Sequence, residues 1–383
     1  MESDEAQFSV SARKSRIAVA FFFFMSGFGF STWASRIPTI QQQLHLNEAQ
    51  LGAVLFALPA GLLLTLPFTG FLLRRFSSRY IMIIGALLFN VMLCLTGFTQ
   101  QIWQLVVVLF FFGCSRNMFN ISVNAQSIGV QALYNRPIVS SFHGIWSVAG
   151  FAAASLGSLM ASIGLAPSWH FLMVGSTLTV CTAFFYKHTV HQRPQPHERK
   201  TAFQIPDASL LKLGCICFAS MAIEGTMYDW SAIFMKKAVH APKGLATAGY
   251  AMYMVAMTLG RFTGDFISNK LGTKTMLKYS GLLIFVGLMM AALLPYPVTA
   301  ALGFMMTGFG VSCVVPMIFS MAGSMKGKSS GPAIAGVSTV GYFGFLVVPP
   351  TVGFIAEQFN LRWSFGLIAM LGALIVWLVG RMK

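Results

Sequence analysis

Residues 187–207 read KHTVHQRPQPHERKTAFQIPD, a basic segment with three prolines that separates two long apolar parts of the chain. A helix that crosses a bilayer needs about 20 mostly apolar residues at a rise of 1.5 Å per residue. By that measure each part holds six candidate spans. They lie near 16–36, 51–73, 79–98, 101–125, 138–163 and 168–186, and near 209–235, 246–268, 275–295, 297–321, 331–356 and 362–380.

The composition excludes a soluble fold. The 383 residues are 56% hydrophobic and only 9% charged, with a mean hydropathy of +0.71, as expected for a chain that lies mostly within lipid. We therefore predict an all-α membrane protein with 12 transmembrane helices in two six-helix bundles. The expected domains are an N-terminal bundle over 1–187, a cytoplasmic linker over 188–208 and a C-terminal bundle over 209–383.

The net charge of +16 predicts topology rather than nucleic-acid binding. Of the 26 Lys and Arg residues, five lie at one set of span ends, and one, Arg116, lies within a span; the other 20 gather at the opposite ends and in the central segment. Positive charge concentrates on the cytoplasmic side of membrane proteins. Both termini are therefore expected in the cytoplasm. All six cysteines fall within spans, where they are expected as apolar filler rather than as disulfides or metal ligands.

The two halves echo each other after their second span. Residues 70–79 read GFLLRRFSSR, and residues 264–274 read GDFISNKLGTK. Both stretches lie at predicted cytoplasmic turns, so the chain is expected to contain a six-helix repeat. Parallel six-helix halves with a binding site between them are typical of carriers that open to each side of the membrane in turn.

These turns resemble degenerate copies of the loop motif of the major facilitator superfamily, with Arg74 in place of its acid and Ser77 in place of its glycine. Within that superfamily the chain resembles the bacterial branch of the MosC rhizopine-transport proteins, near the fucose permeases. The stretches that carry the resemblance are WASRIP (33–38), NAQ (124–126), SFH (141–143), EGTMYDWS (224–231), GYFGF (341–345) and the pair Pro349 and Pro350. The resemblance covers the full length and implies the major facilitator fold.

Glu224 is the main candidate for chemistry, because it lies near the middle of the seventh span. A charged carboxylate at the bilayer centre costs about 2.5–3.5 kcal/mol, so it persists only when paired, wetted or protonated. Ser220, Tyr228 and Ser231 share its helix face at spacings of 4, 4 and 3. We expect Glu224 to bind a proton or the substrate, with Tyr228 beside it; the alternative is a permanent ion pair or hydrogen-bonded strut, with Arg116 as one possible partner.

Three further charged residues are candidate gate residues. Asp229 lies five residues beyond Glu224, nearer the outer surface, and is expected to have a structural or gating role, with substrate contact as the alternative. Arg261 and Asp265 are four residues apart at a predicted cytoplasmic helix end. That spacing suits either a local salt bridge or a latch between the two halves.

The fourth span carries amides on one helix face. Arg116 borders this face and would be costly in lipid without an anionic partner, so we expect it to contact substrate, act in gating, or form a static tie to Glu224 or backbone carbonyls. Amides both donate and accept hydrogen bonds, which suits a polyhydroxylated solute. The face consists of Asn117, Asn120, Asn124, Ser127 and Gln131.

Aromatic and imidazole side chains complete the predicted binding site. Trp33 in the first span and Trp146 in the fifth are candidates for stacking on a sugar face. His143 is a further candidate ligand. For each of the three, the alternative is an ordinary helix-packing contact.

Together these features predict a secondary active transporter rather than an enzyme. It would move a small polar solute, such as a sugar, polyol or glycoside, across the bacterial inner membrane by alternating access. The proton gradient would supply the energy, with no bound cofactor or metal. The alternatives are an exporter of amphipathic compounds, a transporter-derived sensor and a membrane enzyme. The expected partners are the solute and the lipid bilayer, not nucleic acid, and the expected state is a monomer.

Overall fold

The computed structural model describes residues 11–134, 138–191, 208–325 and 330–382, and nearly all of them are helical. The helices before the central segment are α1 (Ala12–Gln43), α2 (Glu48–Leu55), α3 (Ala57–Arg75), α4 (Ser78–Thr96), α5 (Ile102–Gln131), α6 (Val139–Ser162) and α7 (Pro167–Phe185). Those after it are α8 (Ala208–Lys237), α9 (Lys243–Ala246), α10 (Ala248–Leu271), α11 (Thr273–Leu293), α12 (Pro297–Val311), α13 (Val314–Gly323), α14 (Ser330–Gln358) and α15 (Leu361–Gly380). Each of the twelve predicted spans coincides with a helix or with a broken pair, so the all-helical prediction is confirmed.

Eleven helical runs in the described residues are long and apolar enough to cross a membrane. The long helix that is not among them is α10. Its 24 residues would extend about 36 Å at 1.5 Å per residue, enough for a hydrocarbon core of about 30 Å. Arg261, Asp265 and Lys270 lower the hydropathy of its second half. Twelve spans and two cytoplasmic termini therefore remain predictions.

Two of the spans are broken close to a proline. Helix α2 ends at Leu55, four residues before Pro59, and the gap between α12 and α13 includes Ser312, four residues before Pro316. Proline has no N–H to donate to the carbonyl four residues earlier, and its ring crowds that carbonyl. The missing hydrogen bond favours a break at these two places but does not force one, since Pro38, Pro67, Pro349 and Pro350 lie inside unbroken helices.

By their contacts the helices form two compact units. Unit 1 comprises the described residues of Met1–Trp33, Ala57–Ala153 and Leu165–Glu198; unit 2 comprises those of Ala34–Phe56, Ala154–Gly164 and Arg199–Lys383. The last parts of α1 and α6, together with α2, thus belong with the C-terminal helices. The predicted domain boundaries at 187 and 208 remain a prediction.

Glycines set the closest helix contacts in unit 1. A Cβ atom on Gly61 of α3 would collide with the Phe110 carbonyl of α5, and one on Gly113 of α5 would collide with the Leu58 carbonyl of α3. Gly85 also brings α4 close to α5, since a Cβ atom there would lie 2.7 Å from the backbone nitrogen of Phe119. Small residues allow backbones to approach in this way, which is how helices associate in lipid.

Unit 2 repeats these helix pairs. Gly308 lets α12 approach the Tyr253 carbonyl of α10, and Gly287 and Gly303 face each other between α11 and α12. By position among the six spans of each half, these pairs correspond to α3–α5 and α4–α5 of unit 1. The same pairing in both units agrees with the six-helix repeat expected from the two echoing turns.

The two echoing turns differ in backbone conformation. Gly272, directly before α11, has φ 79° and ψ 149°. Residues other than glycine adopt this backbone conformation only at a high cost in energy. Ser77, directly before α4, has φ −58°, which any residue can adopt. The glycine of the motif is therefore required at the second turn and not at the first.

The first residues of the predicted linker are tied to unit 1. Gln126 of α5 donates to the Ser78 hydroxyl at 2.7 Å and to the Val190 carbonyl at 2.8 Å, and it accepts from the Val190 N–H at 2.9 Å. A short 3-10 helix, Tyr186–His188, leads into this contact. The linker prediction for residues 192–207 lies outside the described residues.

Candidate functional site

The predicted site residues fall in both units. In unit 2 the central element is α8. In its most apolar stretch 78% of the residues are buried inside the protein, the largest share among the eleven candidate spans of the described residues. Such a helix contacts protein rather than lipid on most of its sides. A polar residue on α8 therefore faces other side chains or an enclosed space.

Glu224 lies in the middle of α8 with 9% of its surface exposed. Four acidic side chains are described in the structure, and it is the most buried of them: Glu48 and Asp229 are half-buried, and Glu357 is exposed. One turn earlier, the fully buried Ser220 hydroxyl has no hydrogen-bond partner among the described residues. This face of α8 thus combines an ionisable group with an unsatisfied hydroxyl.

Three tyrosines gather one turn beyond Glu224, and we refer to Tyr228, Tyr250 and Tyr253 as the tyrosine cluster. The Tyr228 ring centroid is 6.2 Å from that of Tyr250 and 5.9 Å from that of Tyr253, and both pairs are edge-to-face. This geometry is favoured by the quadrupoles of aromatic rings. The Tyr228 hydroxyl also lies 3.7 Å from the Met257 sulfur.

Tyr253 is fully buried, and its hydroxyl has no hydrogen-bond partner in the described part of the chain. Tyr250 and Tyr253 are not among the residues predicted from the sequence, because aromatic residues within spans are usually packing residues. The available signal was the spacing of Tyr250, Tyr253, Met257 and Arg261 along α10, which places the four on one face.

The predicted gate residues occupy different ends of unit 2. Asp229 on α8 is half-buried beside Trp230, which is fully buried. Arg261 lies in the second half of α10 and is half-buried. Asp265 belongs to the same helix, but its side chain lies outside the described residues, so the predicted Arg261–Asp265 contact remains a prediction.

In unit 1, Arg116 packs against an aromatic ring. Its guanidinium carbon lies 3.7 Å from the ring centroid of Phe30 on α1, a cation–π contact that suits a cation away from bulk water. The neighbouring Asn117 is buried, and its amide donates to the Leu62 carbonyl of α3 at 2.8 Å. One donor of Asn117 therefore serves helix packing.

The remaining amides of α5 are used in different ways. Asn124 donates to the Asn120 carbonyl at 2.7 Å and to the Asn120 side-chain oxygen at 3.3 Å, and Asn120 is exposed on its unit. Gln131 accepts from the N–H groups of Ile138 and Val139 at 2.9 and 3.2 Å, at the start of α6. In the predicted amide face, Asn120 and Asn124 thus bond to each other rather than to another helix, and the buried Oδ1 of Asn117 has no hydrogen-bond partner among the described residues.

The predicted aromatic and imidazole ligands lie apart from one another in unit 1. Trp33 is 1% exposed, and its ring centroid is 6.4 Å from that of Phe171; its indole N–H has no hydrogen-bond partner among the described residues. His143 is exposed and lies edge-on to Phe23 with the centroids 5.2 Å apart. Trp146 is half-buried, and its backbone carbonyl closely approaches Gly27. Substrate roles for these three residues remain predictions.

The chemistry available at these positions is proton exchange and hydrogen bonding. Glu224 can bind and release a proton, the tyrosine cluster and Ser220 offer hydroxyls, and Asn120 and Asn124 offer amides. Among the described residues, no group of three or more His, Cys, Asp or Glu could hold a metal ion. Each unit by itself thus carries groups that suit recognition of a polar molecule.

Comparison with known proteins identifies the relatives of this chain. The family profile described as Major Facilitator Superfamily matches residues 19–330 and, in a second match, residues 213–382. An uncharacterized MFS-type transporter of Yersinia pestis is 31% identical over 349 residues, which cover 91% of each chain. The membrane protein MosC of Rhizobium meliloti is 27% identical over 94% of this chain and 88% of its own. The crystal structure of the nucleoside transporter NupG superposes with a TM-score of 0.76 at 14% identity, covering 96% of this chain and 99% of that one.

Proposed function

The chain belongs to the Major Facilitator Superfamily, and from this membership we propose that it carries a small polar solute by alternating access, driven by the proton gradient. It is a multi-pass membrane transporter rather than an enzyme. The proposal places it in the inner membrane of a bacterium, as a monomer without a bound cofactor. The observation that carries it is the buried Glu224 on a polar face of the most enclosed helix.

The groups around the candidate site support a polar solute. Asn120 and Asn124 offer amide donors and acceptors, and Ser220 and Tyr253 carry buried hydroxyls without partners among the described residues. Buried polar groups are normally hydrogen-bonded, so a hydroxyl without a protein partner suits a bound molecule. A sugar, polyol or glycoside carries hydroxyls that suit hydrogen bonds to amides and to hydroxyls alike. The fold shared with NupG adds nucleosides to the compounds to be tested.

Glu224 is the proposed proton carrier. Burial favours the neutral, protonated form of a carboxyl group, and opening the site to water favours its ionised form. Alternation between the two environments would therefore let Glu224 take up and release a proton. One proton moving down 100 mV provides about 2.3 kcal/mol, enough for ~50-fold accumulation of a neutral solute.

The first experiment identifies the solute. Purified protein is heated with sugars, polyols, nucleosides and amphipathic drugs at two pH values, and the unfolding temperature is recorded. A ligand that binds only the folded state at 100 times its Kd stabilises by about 2.7 kcal/mol. We expect stabilisation by polar compounds. Stabilisation by amphipathic drugs alone would instead favour the exporter alternative.

The second experiment tests the role of Glu224 with the solute so found. In proteoliposomes, Glu224→Gln should abolish proton-driven accumulation but retain exchange of labelled for unlabelled solute, because the amide cannot carry a proton. Glu224→Asp is the matched control, since it keeps a carboxyl group and should retain driven uptake. Undiminished, pH-dependent accumulation by Glu224→Gln would refute the assignment.

A further inference from the structure

Four charged residues and one backbone carbonyl connect the end regions of four helices within unit 2. We refer to Glu48, Lys236, Lys237, Glu357 and the carbonyl-bearing Pro38 as the clasp. The two lysines form the last turn of α8. Lys237 forms an ion pair with Glu48 at the start of α2, and Lys236 donates to the Pro38 carbonyl of α1 at 3.1 Å. Neighbouring cations of one helix thus hold two elements that lie almost 200 residues earlier in the chain.

The end of α14 joins the same cluster through Glu357. Its carboxylate accepts from the Glu48 N–H at 3.1 Å. The first N–H groups of a helix have no partner inside the helix, and the positive end of its dipole attracts a carboxylate. Asn47 caps a second N–H, that of Gln50, at 2.8 Å. The start of α2 is therefore satisfied partly by its own cap and partly by α14.

Immediately beyond the clasp, α2 and α14 touch backbone to backbone. A Cβ atom on Gly52 would collide with the Pro349 carbonyl, and one on Gly353 would collide with the Glu48 carbonyl. Only glycine at both positions permits this approach. The contact leaves no space for a solute between the two helices at this level.

The clasp lies at the ends of these helices that are expected to face away from the cytoplasm. Helix α1 begins at Ala12 and reaches Pro38 only near its end, and α8 reaches Lys236 and Lys237 in its last turn. With the N-terminus in the cytoplasm, as the distribution of positive charge predicts, all five residues lie on the extracytoplasmic side.

We propose that the clasp is the extracytoplasmic gate of this carrier, and that its charged contacts part each time the protein opens to that side. The inference rests on the proposed function only in that the carrier opens to each side in turn. The side chains of Lys237 and Glu48 are 38% and 18% exposed, and ion pairs so open to water are weak. A weak pair suits a gate, because it biases the closed state and yet separates in every cycle.

If the clasp is a gate, it should control how fast a reagent added outside the membrane reacts with a cysteine buried behind it. Ser231 on α8 is fully buried and lies six residues before Lys237, so Ser231→Cys should react slowly with an impermeant maleimide in right-side-out vesicles. Glu48→Gln or Lys237→Gln, each combined with this reporter, should speed labelling by about 2- to 5-fold, the effect of losing one exposed ion pair. Lys278→Gln, which removes an exposed lysine of α11, should leave the rate unchanged.

Charge reversal separates a gate from a general loss of structure. The single variants Glu48→Lys and Lys237→Glu should both speed labelling, and the double variant should bring the rate back toward that of the reporter alone. The proposal would be overturned if all single variants were labelled at the same rate as Ser231→Cys alone. It would also be overturned if the double variant did not return to a slower labelling rate. The measurement needs neither solute nor proton gradient, so its result is independent of whether Glu224 couples transport to protons.

Discussion

At the scale of single residues, the unit 2 site combines one acid with hydroxyls that the protein leaves unsatisfied. Glu224 is buried, and the hydroxyls of Ser220 and Tyr253 have no partner among the described residues. A buried hydroxyl without a partner costs about 1–3 kcal/mol. A solute that forms hydrogen bonds with these hydroxyls would remove that cost, which lowers the free energy of the solute-bound protein relative to the empty protein.

Tyr253→Phe tests this reasoning. The substitution removes a hydroxyl that makes no hydrogen bond to the described protein, so the unfolding temperature of the empty protein should not fall. The solute affinity should weaken by roughly 2- to 10-fold, the effect of one neutral hydrogen bond. Titration of the thermal shift measures both quantities. Tyr296→Phe, at a tyrosine that is 66% exposed, should change neither.

The opposite pattern would count against a ligand-facing hydroxyl. If Tyr253→Phe lowered the unfolding temperature strongly and left the affinity unchanged, the hydroxyl would belong to the packing of the tyrosine cluster.

The sequence predicted some of these residues and not others for physical reasons. Glu224 was predicted as a functional residue because an acidic side chain is energetically unfavourable in lipid. Tyr253 was not predicted, because an aromatic ring is apolar enough to occur in a span without any functional role. Asn117 was predicted as part of an amide face, but its donor is used by the Leu62 carbonyl, a contact that depends on how α3 and α5 pack.

At the scale of helices and turns, length and hydropathy predicted where the long helices lie but not their exact shape. Helix α1 continues to Gln43, past its predicted end at 36, and passes through Pro38 without a break. The breaks a few residues before Pro59 and Pro316 divide two spans into α2–α3 and α12–α13. Hydropathy averages over a window and cannot register the loss of one hydrogen bond at a proline.

The turn between α10 and α11 gives a prediction at this scale. Gly272→Ala should destabilise the protein by about 1–3 kcal/mol, because alanine is strained at φ 79°. Gly70→Ala is the matched control. Gly70 lies inside α3 with open space where a Cβ would be, and alanine favours a helix by about 0.5–1 kcal/mol over glycine. Thermal unfolding in detergent should therefore show opposite signs for the two variants.

Equal effects of the two substitutions would show that the turn relaxes to an ordinary backbone conformation, as the Ser77 turn already has.

At the scale of the whole molecule, the number of spans decides the topology. Eleven runs in the described residues satisfy length and hydropathy, and α10 is long enough but carries charges. Charged residues in a span are tolerated where they face protein or water. An even number of spans places both termini on one side of the membrane, and an odd number places them on opposite sides.

Epitope tags at the two ends measure this parity. In right-side-out vesicles both tags should resist an added protease, and in inside-out vesicles both should be cleaved, because twelve spans and the distribution of positive charge put both termini in the cytoplasm. Cleavage of only one tag in either preparation would show an odd number of spans and contradict the twelve-span topology.

Coupling between solute and proton is the property on which the proposed function depends. Proteoliposomes containing a pH-sensitive dye are exposed to the solute identified by thermal shift, with no gradient imposed beforehand. Wild-type protein should acidify the interior as solute enters, because Glu224 releases a proton on the inside in each cycle, and Glu224→Gln should produce no change in pH. Solute entry without acidification by the wild-type protein, or equal acidification by Glu224→Gln, would contradict proton-coupled transport through this residue.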